Sequence, residues 1–337
     1  MRFLICGLGS IGRRHLRNLR ALGQEDIVLY RTGLSTIPDA ELEGLPVAHD
    51  LETALERWRP DAALVTNPTA LHLDVAVPAA RAGCHLLIEK PVSDRLQGLE
   101  VLQNALTVGG GQLLVGFQFR FNPGLIRARE LIADGAIGRT LSARAHWGEY
   151  LPDWHPWEDY SNSYAARADL GGGAALTLCH PFDYVRWLLG EVNTVRGATR
   201  QSEALGLDVE DLVEAVLELE SGCLASVHLD YLQRPPQHWL AIQGSEGTLR
   251  WDGRSGDLKW WSAAEGTWHE EPAAEGYERN TMFLGEMKHF LAVARAEEQP
   301  RCTLEDGVRA LEIALAIRQS AESGERVVVR SAERSAA

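Results

Sequence analysis

Short apolar runs alternate with amphipathic stretches through the first third of the chain. Residues 2–6 (RFLIC), 26–31 (DIVLYR), 61–67 (DAALVTN), 85–90 (HLLIEK) and 112–117 (QLLVGF) read as buried strands bounded by turn formers. Between them, apolar residues recur at helical spacing in RRHLRNLRALG, with Gly23 as cap, in 51–58, in 71–82 ending at Gly83, and in 94–107. Strands alternating with helices of this length predict βαβ units and a parallel, doubly wound sheet, whose ligands sit at the carboxyl ends of its strands.

From about residue 122 the alternation stops. A helix over 123–134 leads to a strand over 140–150 and to a helix after the triple glycine 171–173. The segments VNTVRGATRQ, DLVEAVLELESGCLASVHLDYL, HWLAIQGSEGTLRWDG and DLKWWSA are then broken by turns at Ser221-Gly222 and Gly244-Ser245, the pattern of an antiparallel meander. Helices over 278–296 and 304–323 close the chain and are expected to be shared between domains. The expected fold is therefore an α/β domain over 1–121 followed by an α+β domain over 122–337, which carries a large, mostly antiparallel open sheet. The site is expected in the cleft between the two.

Composition narrows the function. The chain has 337 residues, enough for two domains, and a formal charge of −14 that argues against nucleic-acid binding. Five scattered cysteines suit reduced, buried thiols in a cytoplasmic protein; no metal site is expected of them. No signal-peptide pattern or membrane-spanning run is visible, so no membrane partner is expected.

The first strand leads into GLGSIG. Gly7, Gly9 and Gly12 form G-x-G-x-x-G at a strand-to-helix turn, so the first domain reads as a Rossmann dinucleotide-binding fold. The first glycine permits the turn, the second lets backbone approach a pyrophosphate, and the third lets helix pack on strand. The helix N-terminus adds partial positive charge toward the phosphates. Ser10, Ile11 and Arg13 belong to the same cofactor turn. The second strand ends in Tyr30-Arg31-Thr32, where an NAD-preferring site would place an acid. Arg31 and Thr32 suit a 2′-phosphate, so NADP is expected in preference to NAD, with NAD possible. Asn67, Pro68 and His72 after the third of these strands, and Glu89 and Lys90 after the fourth, lie on the same edge and complete the expected cofactor contacts.

The pieces GLGSIGRRH, NPTALH, EKP, FRFNP, GGGAALTLCHPFDYVRWLLG and FLGEMKHFLAVARAEEQPRCTLEDGVRALEIA resemble, in order, the Gfo/Idh/MocA family of NAD(P)-dependent oxidoreductases, the glucose–fructose oxidoreductase and inositol dehydrogenase type. The resemblance implies hydride transfer between a nicotinamide cofactor and a sugar, cyclitol or related polyol. It implies that Lys90 sits beside the nicotinamide, bonded to the reacting oxygen, and that His180 is the general acid/base. Chemistry agrees: alcohol oxidation needs a base for the hydroxyl proton, and an ammonium stabilises developing alkoxide. Glu89 would orient or neutralise Lys90.

The family's aspartate three or four residues before that histidine is missing; Leu176 and Thr177 stand there. Asp183 follows on the same helix face, so His180 is oriented by Asp183, by Thr177, or by an acid such as Asp169 or Glu149. Pro181 should kink or restart the helix.

The substrate pocket is expected from residues 145–165, with Trp147 and Tyr164 prominent, together with Glu89, Arg120, Asn122 and Asp183; His146 is a weaker candidate. Trp239, Trp251, Trp260 and Trp261 fall on strands of a sheet through which family members commonly pair, so a homodimer or homotetramer is expected. Two other functions compete: a dinucleotide- or sugar-binding regulator without turnover, and a glycoside hydrolase that uses NAD transiently.

Overall fold

A computed structural model describes residues 1–33, 39–156 and 158–329. The chain divides into two compact units. The first comprises 1–118, 169–171 and 283–308; the second comprises 119–168, 172–282 and 309–337. The first unit ends at 118, three residues before the expected boundary, and the chain returns to it over 283–308, within the two closing helices.

The first unit holds β1 (Phe3–Cys6), α1 (Ser10–Ala21), β2 (Ile27–Tyr30), β3 (Val47–Ala48), α2 (Leu51–Trp58), β4 (Ala62–Val65), α3 (His72–Arg81), β5 (His85–Glu89), α4 (Leu99–Gly109) and β6 (Leu113–Gly116). Among the described residues its strands form one parallel sheet in the order β3-β2-β1-β4-β5-β6. That is the doubly wound order, with its reversal point between β1 and β4. β1, β4 and β6 are buried along their whole length, as parallel strands covered on both faces must be. Each fully buried Leu, Ile or Val there contributes roughly 1.5–3 kcal/mol. α4 begins at Leu99, later than the expected 94, because Gly98 in the left-handed region precedes its first turn.

The second unit holds α5 (Pro123–Ala133), β7 (Thr140–Gly148), α6 (Ala174–Thr177), α7 (His180–Leu189), β8 (Val192–Arg200), β9 (Leu212–Leu219), β10 (Leu224–Asp230), β11 (Gln237–Gly244), β12 (Gly247–Asp252), β13 (Leu258–Ser262) and β14 (Thr267–Glu271). α8 (Asn280–Ala294) starts in this unit and continues in the first. α9 (Leu304–Ser323) ends here, before the short β15 (Val327–Val328).

The sheet order is β14-β13-β12-β11-β7-β10-β9-β8-β15 among the described residues. It is mostly antiparallel, as expected, but not a simple meander: β7 and β10 pair in parallel near its centre. Alternate residues along β7, β9 and β10 are buried, and α7 packs against β7. The helix expected after the triple glycine is two helices. Pro181 occupies the first turn of α7, where its missing N–H costs nothing, so the helix restarts there.

All five cysteines are free and buried. No helix among the described residues is long and apolar enough to cross a membrane.

Candidate active site

The glycine turn is built by close approach. Cys6 of β1 pairs with Val65 of β4, which brings the turns after the two strands together. Gly7 has φ +100, and a Cβ on it would stand 2.6 Å from the Asn67 amide nitrogen. A Cβ on Gly12 would stand 2.0 Å from the Gly7 carbonyl oxygen. The Thr66 hydroxyl closes the turn by donating to that carbonyl at 2.6 Å. Around Gly9 the situation reverses: a Cβ there would meet nothing within 4 Å. Gly9 is also the N-cap of α1 and supplies no side-chain cap, so the first-turn N–H groups are turned to no side chain of the cap residue. An open glycine at an uncapped helix start is the shape that a pyrophosphate fits. Ser10 and Ile11 form that first turn. Arg13 is buried and donates from Nε to the Leu8 carbonyl at 3.0 Å, which braces the turn from beneath.

Arg31 is half-buried and Thr32 exposed at the end of β2, with no acid at either position. Glu41 lies in a short turn over Asp39–Leu42. Its carboxyl is held below the usual range chiefly by the hydrogen bond from Arg17, with Arg13 and Arg20 adding their charge.

After β4, Asn67 donates from Nδ2 to the Leu71 carbonyl at 2.8 Å, and its Oδ1 has no hydrogen-bond partner. His72 is buried and donates from Nε2 to the Asn67 carbonyl at 2.9 Å; burial pushes its pKa down, which keeps it neutral. His72 therefore braces the Asn67-Pro68 loop rather than facing outward.

β5 ends in Glu89, and the following Lys90-Pro91 peptide is cis. Lys90 stands on the same edge as the glycine turn and Asn67, because β1, β4 and β5 run parallel. The Glu89 carboxylate is buried. It accepts from His15 Nε2 at 2.8 Å and, more weakly, from the Lys90 amide at 3.3 Å. Burial opposes its ionisation, but the His15 bond and the His15 and Lys90 charges together hold its pKa low. So Lys90 does act on Glu89, while the principal partner of Glu89 is His15.

Sequence reasoning missed His15, although it stands inside GLGSIGRRH one turn after Gly12, on the face of α1 that packs inward. It also missed Glu286 of α8, buried among the same residues.

In the second unit, Gly172 and Gly173 are held by a pair that sequence reasoning did not find. Arg318 donates to the Gly172 carbonyl at 2.8 Å and pairs with Glu210 at 2.7 Å, and Glu210 accepts from the Ala175 amide at 3.1 Å. That clamp sets the start of α6 and, through it, α7.

His180 is the first residue of α7 and is buried. Its ring meets Phe119 edge-on at 4.9 Å and lies against Trp147 at 5.4 Å. Thr177 places its hydroxyl against the Tyr231 phenol. Trp147 stacks on His238 at 4.4 Å, nearly parallel, and burial pushes His238 down to about 3. Tyr164 begins a short turn and is partly exposed.

Three expected substrate contacts need correction. Every polar atom of Asn122 is engaged: Oδ1 caps α5 at Leu125 and accepts from Trp251, while Nδ2 donates to Tyr277 and faces the Met282 sulfur. It is a buried helix cap with no group left for a sugar. Arg120 and Asp183 form a buried bidentate pair, 2.6 Å at its shortest, so each is chiefly the other's partner. Of the other aromatic residues in 145–165, Trp154 packs edge-on against Tyr231 and Tyr150 lies under Arg234. Trp157 lies outside the described residues.

His146 belongs to a row crossing the opposite sheet face: Glu214, His228, His146 and Trp239 stand on neighbouring strands in register. His146, His228 and Asp230 bring ligand-type atoms within 4.8 Å of one another. The two imidazole rings lie parallel, 4.5 Å apart, and both ring nitrogens of His228 are already bonded to Glu214 and Asp230. No ion could lie in both ring planes without rotating them, which argues for a stacked ion-pair row over a metal site.

A dinucleotide cradle beside a lysine at a strand end defines the class, an NAD(P)-dependent oxidoreductase. Residues 1–117 match the oxidoreductase family with NAD-binding Rossmann fold, and residues 125–250 match the GFO/IDH/MocA C-terminal domain. The chain belongs to the GFO/IDH/MocA family. It is 27% identical over 288 residues to a D-xylose 1-dehydrogenase (NADP(+)) of Haloferax volcanii, covering 84% of this chain and 85% of that protein. It is also 27% identical over 342 residues to a myo-inositol 2-dehydrogenase of Thermotoga maritima, covering 96% of each. A levoglucosan dehydrogenase, solved with NADH and levoglucosan, shares the fold at a TM-score of 0.87 and 21% identity, over 98% of this chain and 100% of that one.

Proposed function

We propose that this protein transfers hydride between NADP, in preference to NAD, and an alcohol carbon of a sugar, cyclitol or related polyol. The observation that carries the reading is the placement of Lys90 on the strand edge that also presents the open Gly9 turn and Asn67. Gly7, Gly9, Ser10, Ile11 and Gly12 would hold the pyrophosphate, and Arg31 and Thr32 the 2′-phosphate. When bound, the dinucleotide supplies the hydride acceptor or donor.

Lys90 stabilises the negative charge that grows on the reacting oxygen, and His180 takes or returns the hydroxyl proton. Trp147 and Tyr164 contribute to the surroundings of that hydroxyl, and relatives named for D-xylose, myo-inositol and levoglucosan support a polyhydroxylated substrate. A homodimer or homotetramer assembles through the sheet face that exposes Val216 and Leu224. The protein works in the cytoplasm.

The cofactor half of this reading is tested by calorimetric titration of both dinucleotides. NADP should bind more tightly, and Arg31→Ala should weaken NADP by roughly 10-fold or more while sparing NAD, as loss of a charge-assisted phosphate contact requires. Tighter NAD binding, or an Arg31→Ala variant indistinguishable from the parent, contradicts it.

A further inference from the structure

Glu286 is a buried acid that no step above uses. It is 0% exposed, and neither of its carboxyl oxygens has a hydrogen-bond partner of the ordinary kind. His15, Glu89 and Glu286 come from α1, β5 and α8, and their polar atoms lie within 4.8 Å of one another. We propose that Glu286 is a positioning residue: as a neutral acid it donates its proton to Glu89, and the chain Glu286–Glu89–His15 fixes the end of β5 that carries Lys90. The proposal deepens the functional reading and rests on Lys90 serving hydride transfer.

Two carboxyls this close in an apolar interior cannot both ionise, so one proton is shared between them. The surroundings decide where it rests. Glu89 accepts from His15 at 2.8 Å and from the Lys90 amide at 3.3 Å, and the Lys90 charge favours its ionised form. Glu286 has no such donor. Burial and the Glu89 charge push its pKa well up.

The charged and titratable groups bearing on the pair are His15 from α1, Lys90 after β5, and His72 from α3, which feels the Glu89 charge. The proton therefore sits on Glu286 and points to Glu89, the acceptor beside it. Glu89 is then held on two sides, by His15 and Glu286, and its backbone is the residue before Lys90. An ionised Glu286 would instead press a second negative charge against Glu89 and loosen that end.

The experiment pairs side-chain carboxyl NMR on glutamate-labelled protein with kinetics of Glu286→Gln and Glu286→Leu. One glutamate should stay protonated at neutral pH and its signal should vanish in Glu286→Gln. Leu, which cannot donate, should lower kcat roughly 10-fold to 10²-fold with dinucleotide KM unchanged, because it displaces Lys90 without removing it. Gln, which donates through its amide, should restore kcat to within about threefold of the parent. Parent-like kcat in Glu286→Leu overturns the proposal. So does an ionised Glu286, or a stoichiometric divalent ion that purifies with the protein and is lost in Glu286→Gln. Should Glu286→Leu fail to fold, the carboxyl signal alone decides. Normal turnover in Lys90→Met would instead sink the reading of Lys90 and leave the carboxyl signal in place, so the two failures are distinguishable.

Discussion

Arg120 holds Asp183 through a bidentate ion pair inside the second unit, with side-chain exposures of 3% and 1%. The Arg120 Nε spans both carboxylate oxygens and Nη2 reaches Oδ1. Removing one member leaves the other charged and buried. Asp183→Ala should therefore destabilise the protein by about 3–5 kcal/mol, while the double change Arg120→Met with Asp183→Leu should recover most of that. Denaturant midpoints of the three variants check this. A double variant as unstable as the single one would mean that the pair's geometry, not its charge balance, is what matters.

His238 gives a pH signature. Its folded pKa, pushed down to about 3 by burial and by the Arg279 and His146 charges, lies below the ordinary histidine value of about 6.5. The unfolded chain takes up the proton first. Stability is thus full above about pH 6.5 and falls as pH drops toward 3, by about 1.4 kcal/mol per unit. His238→Phe should flatten that slope in urea titrations between pH 6.5 and 4, provided the comparison uses the difference between parent and variant.

The glycine turn separates folding from binding. Gly12→Ala drives a methyl into the Gly7 carbonyl 2.0 Å away, and should cost roughly 1–3 kcal/mol of stability. Gly9→Ala has open space and an ordinary φ of −72, so its stability should stay within about 0.5 kcal/mol. If this turn holds the pyrophosphate as proposed, the methyl would stand where a phosphate must approach, and dinucleotide affinity should fall at least about 10-fold. Thermal melts and calorimetry on both variants read the two effects separately; equal affinity in Gly9→Ala would remove the cofactor from this turn.

What was legible in the sequence is what local pattern dictates. The buried strands and their glycine-ended helices follow from apolar runs and caps, and the restart of α7 from Pro181 alone. The parallel pairing of β7 with β10 was not legible, since neither strand's alternation says which neighbour it takes. Asn122 shows a second limit. Asn before Pro123 is a plain N-cap signal, yet its place in FRFNP drew attention to substrate instead. His15 and Glu286 lie 271 positions apart in sequence, by subtraction of their numbers, and only the fold makes them neighbours.

The most direct test of the central claim is the turnover of Lys90→Met beside its dinucleotide affinity, on a substrate found by screening sugars, cyclitols and uronates. An ammonium that stabilises charge only in the transition state should leave affinity within about threefold and lower kcat by roughly 10²–10³. His180→Ala should lose about 10²–10⁴ and flatten the pH profile. If Lys90→Met keeps kcat within about threefold of the parent, the loss is under about 0.7 kcal/mol, too little for a residue that carries the chemistry, and the account is wrong.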